Sequence, residues 1–347
     1  MKNIYAIPLH LIVLMTCCTA VFSAQNSSVE EDRLTSQIRN PSSCFDGIFT
    51  DLPTYIKHMK TLPSVGDDPT KLAQAEKRYH YWRDNFECQW FDYVVDNILV
   101  KGFYIVPLKV EQTSLPVVVF NHGGNADIGA VKSRYLFGKL FPLAAKGYVV
   151  VGSQYRGNGN RDNPHPNPLL DEFGGRDVRD VSALLDLLPD IPMADSTKVA
   201  LWGISRGGMM AYLAAKIDAR FKAVVAQSAP VDLIAARQRG GFILNVFDKW
   251  IPGYREFPEK VLRERSVIYW AQQLTQPLFI IHGNQDPRIP ASDIDRFAAK
   301  LAEQNHDVVQ LRFPDGKHNL GPYETQIINQ MDVWLQQNFR QGKQAAN

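Results

Sequence analysis

The chain has 347 residues, 45% of them hydrophobic and 21% charged, and carries a formal net charge of +2. That composition supports a large buried core arranged as one domain or two, and it excludes fibrous and disordered classes. No run of Lys or Arg interleaved with aromatics offers a groove for nucleic acid, and the slight basic excess reads as a solvated surface.

Residues 1–24 stand apart. Lys2, the apolar stretch from Ile4 to Val21 and the small residues of Phe22-Ser23-Ala24 have the layout of a secretory signal peptide. The stretch is too short, and too polar at its exit, to read as a membrane span. The chain is therefore expected to be exported, periplasmic or secreted, with no stable membrane insertion after processing. The alternative is a lipid anchor at Cys17, which Thr16 precedes poorly. Cys17 and Cys18 fall in the leader, leaving Cys44 and Cys88 in the mature chain. In an oxidising compartment these two can pair, and closing the loop between them would contribute about 3 to 4 kcal/mol; two buried free thiols are the alternative.

Residues 25–88 read as an N-terminal helical extension, with Pro69 in the first turn of "PTKLAQAEKRYHYWRDNF". From Gln89 the period changes. "QWFDYVV" and "ILVKGFYIVPL" alternate about Asp96-Asn97, the pattern of a hairpin. Buried strands follow in "PVVVFN", "GYVVVGS", "KVALWG", "FKAVVAQ", "QPLFIIHG" and "VVQLRF", separated by helical stretches such as "DVRDVSALLDLL". Such repeated units predict an α/β fold over 89–342: a mostly parallel central sheet with helices on both faces.

Within "VALWGISRGGMMAYLAA" a buried strand gives way directly to a helix at Gly203-Ile204-Ser205-Arg206-Gly207. This is the setting of a nucleophile elbow. The serine is held in an unfavourable conformation with its hydroxyl above the sheet, and the flanking glycines let strand and helix pass closely. A nucleophilic serine needs a base, and the base needs an acid to fix its tautomer.

His306 falls where a helix ends before a strand, on the wrong edge of a parallel sheet. His318 follows the last strand on the carboxyl edge, so His318 is the expected base. Asp286, in the turn after "PLFIIHG", is the expected acid. Asp293, Asp295 and Asp315 read as solvated charges, and His282 as a hydrogen-bonded structural histidine. For the oxyanion hole one donor is the backbone N–H of Arg206, and "FNHGGNAD" supplies the other at Gly124, with Gly123 or Asn125 as alternatives. The segment 231–275 interrupts the strand–helix rhythm and reads as a helical cap, with Phe242, Phe247, Trp250 and Tyr254 available as an apolar wall.

The hairpin and the ordered motifs "FNHGGN", "SQYRGNG", "GISRGG", "HGNQD" and "KHN" resemble the catalytic domain of the prolyl oligopeptidase family of serine peptidases, within the α/β-hydrolase superfamily. The resemblance implies an α/β-hydrolase fold, Ser205, Asp286 and His318 as the triad, and a bracing role for Tyr155-Arg156-Gly157. Members selective for proline carry a β-propeller where this chain has its 25–88 extension, so strict proline selectivity is not expected. The leading expectation is a serine hydrolase that cleaves peptide or aminoacyl bonds. A carboxylesterase acting on small acyl esters is one alternative, and a non-catalytic binding module on the same fold is another. No H-E-x-x-H spacing and no dinucleotide fingerprint occur, so neither metal nor cofactor is implied.

Overall fold

The computed structural model describes residues 37–344, apart from 127, 159–166, 168 and 169. The expected signal peptide and Cys17 lie outside the described residues. Asp96 and Asn97 take positive φ values of 53° and 60°, the backbone that lets a two-residue loop follow the twist of paired strands. They join β2 (Phe86–Val95) to β3 (Ile98–Pro107) in full antiparallel register.

β2 begins three residues before Gln89, because Phe86, Glu87 and Cys88 already alternate between buried and half-buried. A further strand, β1 (Arg39–Ser43), pairs antiparallel with β2 in a stretch read as helical. Its residues, RNPSS, are exposed and carry no apolar period, and Pro41 is tolerated because β1 is an edge strand.

Two helices complete the extension. α1 (Leu52–Lys60) is capped by the Asp51 side chain, and α2 (Pro69–Asn85) by Asp68, with proline at the first position. They bury Phe49, Tyr55, Met59, Ala75 and Tyr79 in a small cluster of their own. Phe137 stacks on Phe49 at 3.7 Å between ring centroids, joining that cluster to the helical run α3 (133–144).

The remaining strands are β4 (Leu115–Asn121), β5 (Val149–Ser153), β6 (Ala194–Ile204), β7 (Phe221–Gln227), β8 (Leu278–Gly283) and β9 (Val308–Phe313). The sheet order is β1-β2-β3-β5-β4-β6-β7-β8-β9, with every pair from β5 to β9 parallel.

Their period of two divides the core into two faces. Val117, Val119, Val199, Leu201, Val224 and Leu278 point to one cluster. Val118, Phe120, Ala200, Trp202, Val225 and Phe279 point to the other. Residues from α4 (Val178–Leu187), α5 (Arg206–Ile217) and α9 (Ala291–Glu303) cover the first face; α3 and α10 (Glu324–Gln344) cover the second. Each fully buried side chain of this size contributes about 1.5 to 3 kcal/mol, which is why both faces must be covered. This is the doubly covered, mostly parallel sheet of an α/β-hydrolase.

The segment after β7 forms α6 (Leu233–Arg239), α7 (Ile243–Trp250) and α8 (Pro258–Arg265). Here the structure corrects the expected apolar wall. Val246, Phe247 and Trp250 lie on one face of α7 and pack into the core, while Phe242 is 78% exposed. Asp293 also departs from its reading as a solvated charge. It is buried at the start of α9 and paired with Arg239 at 2.7 Å and Arg296 at 3.2 Å, and so ties α6 to α9.

Cys44 and Cys88 are disulfide-bonded, with Cα atoms 5.3 Å apart and a sequence separation of 44. Replacing both with serine should lower the unfolding free energy by about 3 to 4 kcal/mol, read as a fall in the urea midpoint. An unchanged midpoint would show that the bond does not stabilise the chain.

Candidate active site

Ser205 links β6 to α5 with φ 57° and ψ −126°, a region that non-glycine residues avoid at a cost of about 1 to 3 kcal/mol. Its neighbours explain how the turn is enforced. A Cβ on Gly203 would lie 2.0 Å from the Gly207 carbonyl oxygen, and one on Gly207 would lie 1.9 Å from that of Asn121. Only glycine lets the first turn of α5 sit this close to β4 and β6. The Ser205 N–H donates to the Gln227 carbonyl in β7 at 2.8 Å, so the strained residue is hydrogen-bonded into the sheet. α5 begins at Arg206, with the positive end of its dipole beside the serine.

His318, in the loop after β9, brings Nε2 to 2.9 Å from Ser205 Oγ and Nδ1 to 2.7 Å from Asp286 Oδ2. A carboxylate only accepts, so Nδ1 carries the proton and Nε2 offers its lone pair to the serine hydroxyl. Asp286 Oδ1 accepts from the N–H groups of Arg288 at 2.8 Å and Ile289 at 3.1 Å. Burial pushes the Asp286 carboxyl up, but His318 and the two amides outweigh it and hold it below the ordinary carboxylate value. The loop holding His318 is fixed in turn, because Ser228 Oγ donates to the His318 carbonyl at 2.9 Å. The three side chains thus form one hydrogen-bonded line that can move a proton off Ser205.

Two other histidines stand outside that line. His282 is buried at the end of β8 and its Nε2–H donates to the Ile289 carbonyl at 3.1 Å; burial pulls its pKa down. His306 Nδ1 lies 3.1 Å from the carbonyl of Asp307, in the turn between α9 and β9.

The "HGG" loop runs over the serine. A Cβ on Gly123 would lie 3.1 Å from Ser205 Cβ, and one on Gly124, with φ 77°, would lie 1.8 Å from the Ile128 carbonyl oxygen. His122 stands beneath this loop, fully buried, with Nδ1 2.8 Å from the Gly123 carbonyl and its ring stacked on Tyr155 at 4.3 Å. Burial pulls His122 down to a pKa of about 4.

The side chain of Arg206 and the carboxylates around it, to which the sequence reading gave no role, surround the turn. The Arg206 guanidinium is buried and pairs with Asp171 at 2.7 Å and closely with Asp177. It also lies 5.2 Å from the Tyr155 ring and 5.0 Å from the Phe173 ring. Burial works against this cation, and the two carboxylates more than restore it; burial likewise pushes Asp177 up, opposed by Arg206. Arg156, just past the end of β5, has the expected bracing contacts: it binds Asp180 of α4 at 2.7 Å and Asp96 of the hairpin turn at 3.0 Å. Asp171, Asp177 and Asp180 come from "DEFGGRDVRD", whose density of acids leading into a helix was the available signal. Arg265 of α8 reaches the same segment, donating to the carbonyls of Phe173 at 3.0 Å and Glu172 at 3.1 Å. The segment after β7 is thereby tied to the 171–180 segment. Among the described residues no group of three His, Cys, Asp or Glu could hold a metal, and no helix is long and apolar enough to cross a membrane.

A doubly covered parallel sheet with a serine elbow after β6, and an acid–histidine pair on later loops of the same edge, defines an α/β-hydrolase. The family model of the prolyl oligopeptidase family matches residues 135–342, and the chain belongs to that family.

Its relatives include two uncharacterized peptidases of Bacillus subtilis. YuxL is 28% identical over 252 residues, which are 70% of this chain and 38% of that protein. YtmA is 24% identical over 249 residues, 70% of this chain and 91% of that protein. Human acylamino-acid-releasing enzyme is 26% identical over 239 residues, covering 65% of this chain and 32% of that one. The chain thus spans less than half of YuxL and of the human enzyme. Among solved structures, an acylaminoacyl peptidase of Pyrococcus horikoshii superposes with a TM-score of 0.63 at 23% identity, over 73% of this chain and 42% of that one. A puromycin-hydrolyzing peptidase of Mycobacterium tuberculosis gives 0.59 at 22%, over 70% and 37%. At these identities the likeness to solved structures concerns the fold.

The buried imidazole of His122 makes stability depend on pH. Its folded value of about 4 lies below the ordinary 6.5, so the unfolded chain binds a proton that the folded chain refuses. The contribution is complete above the ordinary value and shrinks as pH falls towards the folded one, by about 3 kcal/mol in all. Urea unfolding at several pH values across that window should show this slope, and His122→Gln should flatten it. An equal slope in the variant would place the effect elsewhere.

Proposed function

We propose that this chain is an exported serine hydrolase that cleaves peptide or aminoacyl bonds through an acyl-enzyme. The observation that carries the reading is the line from Asp286 through His318 to Ser205, at 2.7 and 2.9 Å, ending on a serine held at φ 57°. His318 Nε2 takes the hydroxyl proton as Ser205 Oγ bonds to the substrate's carbonyl carbon. Asp286 holds the imidazole in the required tautomer and stabilises its charged form. The carbonyl oxygen becomes an oxyanion facing the Arg206 N–H and a second amide from the 123–125 loop, with Gly124 the candidate donor and Gly123 or Asn125 the alternatives. The imidazolium then gives its proton to the leaving nitrogen or oxygen as that bond breaks. Water repeats the sequence: it loses a proton to His318, bonds to the acyl carbon and releases the acid, and Ser205 recovers its hydrogen.

The relatives described above are peptidases or releasing enzymes by name, which favours peptide or aminoacyl bonds over simple esters. Export is supported by the leader and by the Cys44–Cys88 bond, a kind of bond that persists in oxidising compartments. N-terminal sequencing of protein recovered outside the cytoplasm tests it, with a start near residue 24 expected and an intact Met1 counting against it.

Ser205→Ala and His318→Ala should each cost up to about a million-fold in kcat, and Asp286→Asn about ten-thousand-fold, with folding retained. Wild-type-like turnover in Ser205→Ala would end the reading. Comparing kcat/KM for alanyl and prolyl amides with acetyl and butyryl aryl esters sets the substrate class. Aminoacyl amides should be cleaved with no sharp demand for proline, since apolar contacts separate neighbouring groups by only about 1 to 3 kcal/mol. Hydrolysis of the esters alone would make the protein a carboxylesterase.

A further inference from the structure

The loop that passes over Ser205 is held in an unfavourable shape. Gly124 has φ 77° and Ala126, which has a Cβ, has φ 43°, so the stretch between them needs an external hold to persist. The hold is visible. Asp171 Oδ2 accepts the Ala126 N–H at 2.8 Å and the Arg206 Nη1 at 2.7 Å, and the same Nη1 donates to the Gly124 carbonyl at 2.8 Å. On the far side of the guanidinium, Nη2 bonds closely to Asp177. One arginine and one carboxylate therefore fix both ends of a three-residue segment.

That arginine is the residue immediately after the elbow serine, so its backbone and its side chain face the same small region. A trans peptide points its carbonyl and its N–H in opposite directions. The bond from Arg206 to the Gly124 carbonyl therefore orients the Asn125 N–H. The bond from His122 Nδ1 to the Gly123 carbonyl, at 2.8 Å, does the same for the Gly124 N–H. Those are two of the amides available as second oxyanion donor.

We propose that the Arg206 guanidinium, anchored by Asp171 and Asp177, is a positioning group for the oxyanion loop, holding the Gly124–Ala126 segment, and with it the Asn125 amide, in the orientation that stabilises charge during acyl transfer. This rests on the serine hydrolase reading. A clamp of this kind acts on the transition state, whose oxyanion the loop meets, more than on the bound substrate. Its loss should therefore appear in kcat, with KM nearly unchanged.

The test compares wild type, Arg206→Met, Arg206→Lys and Asp171→Asn on a short-chain aryl ester. Each is also titrated with an alkyl boronic acid, whose tetrahedral adduct on Ser205 places an oxygen in the hole. Thermal unfolding confirms that each variant is folded. Removing one oxyanion donor costs about 100- to 1,000-fold, so Arg206→Met should lose about 100-fold in kcat with KM within about twofold. Its boronate affinity should fall by a similar factor, and Arg206→Lys should recover part of both.

Asp171→Asn keeps an oxygen for the Ala126 N–H but loses the charge that anchors Arg206, and should lose about tenfold in kcat. A folded Arg206→Met with wild-type kcat, or with a loss confined to KM, overturns the proposal. Should Arg206→Met not fold, the near-isosteric Asp171→Asn decides, and wild-type kcat there overturns it equally. Wild-type protein that neither turns over the ester nor binds the boronate overturns the hydrolase reading itself, and the clamp with it.

Discussion

The closeness of three backbones at the end of β6 governs the rest of the structure. Asn121, Gly203 and Gly207 approach so nearly that any side chain on either glycine would penetrate a carbonyl oxygen, at 1.9 to 2.0 Å. Ser205 has no relaxed conformation available between them and stands at φ 57°. The strain is of order 1 to 3 kcal/mol, small beside the burial of Val119, Leu201, Trp202 and Val225 on the surrounding strands. A well-packed sheet thus tolerates one unfavourable residue, and that residue presents its hydroxyl to His318.

Around that turn the protein buries charge instead of excluding it. Arg206 and Arg156 are both almost fully inaccessible, as are Asp171, Asp177 and Asp180. Buried ion pairs of this kind add little net stability, because desolvation offsets most of their attraction, but removing one partner is costly. Their directional bonds do something that apolar packing cannot. They fix the path of main-chain segments from β2 to β3, from β4 to α3 and from β5 to α4 relative to one another, through Asp96, Gly124, Ala126 and the 171–180 segment. The helices after β7 join the same network through Arg265.

Much of this was legible in the residues. Strands buried on both faces read as continuous apolar runs, so β4 to β8 announce themselves, and Asp96-Asn97 marks its own turn. The elbow shows because glycine spacing, the strand before it and the helix after it agree. Asp286 and His318 follow from chain order and sheet edge, and the structure brings both to Ser205. Other features left no local pattern. β1 consists of RNPSS at an exposed edge. The partners of Arg206 lie 35 and 29 positions away, a pairing that no periodicity encodes. The amphipathic pattern of α7 could equally have faced the site or the core, and packing decided for the core. Asp293 read as solvated because the fold, and no local pattern, buries it and brings Arg239 to it.

The central claim is that this particular serine is a nucleophile, and covalent trapping tests it most directly. After brief exposure of the folded protein to a fluorophosphonate, mass spectrometry of its tryptic peptides should show one phosphonyl group, carried on the peptide containing Ser205. The same treatment of denatured protein should leave that peptide unmodified. An unlabelled folded protein, or a phosphonyl group on a different residue, would contradict the account.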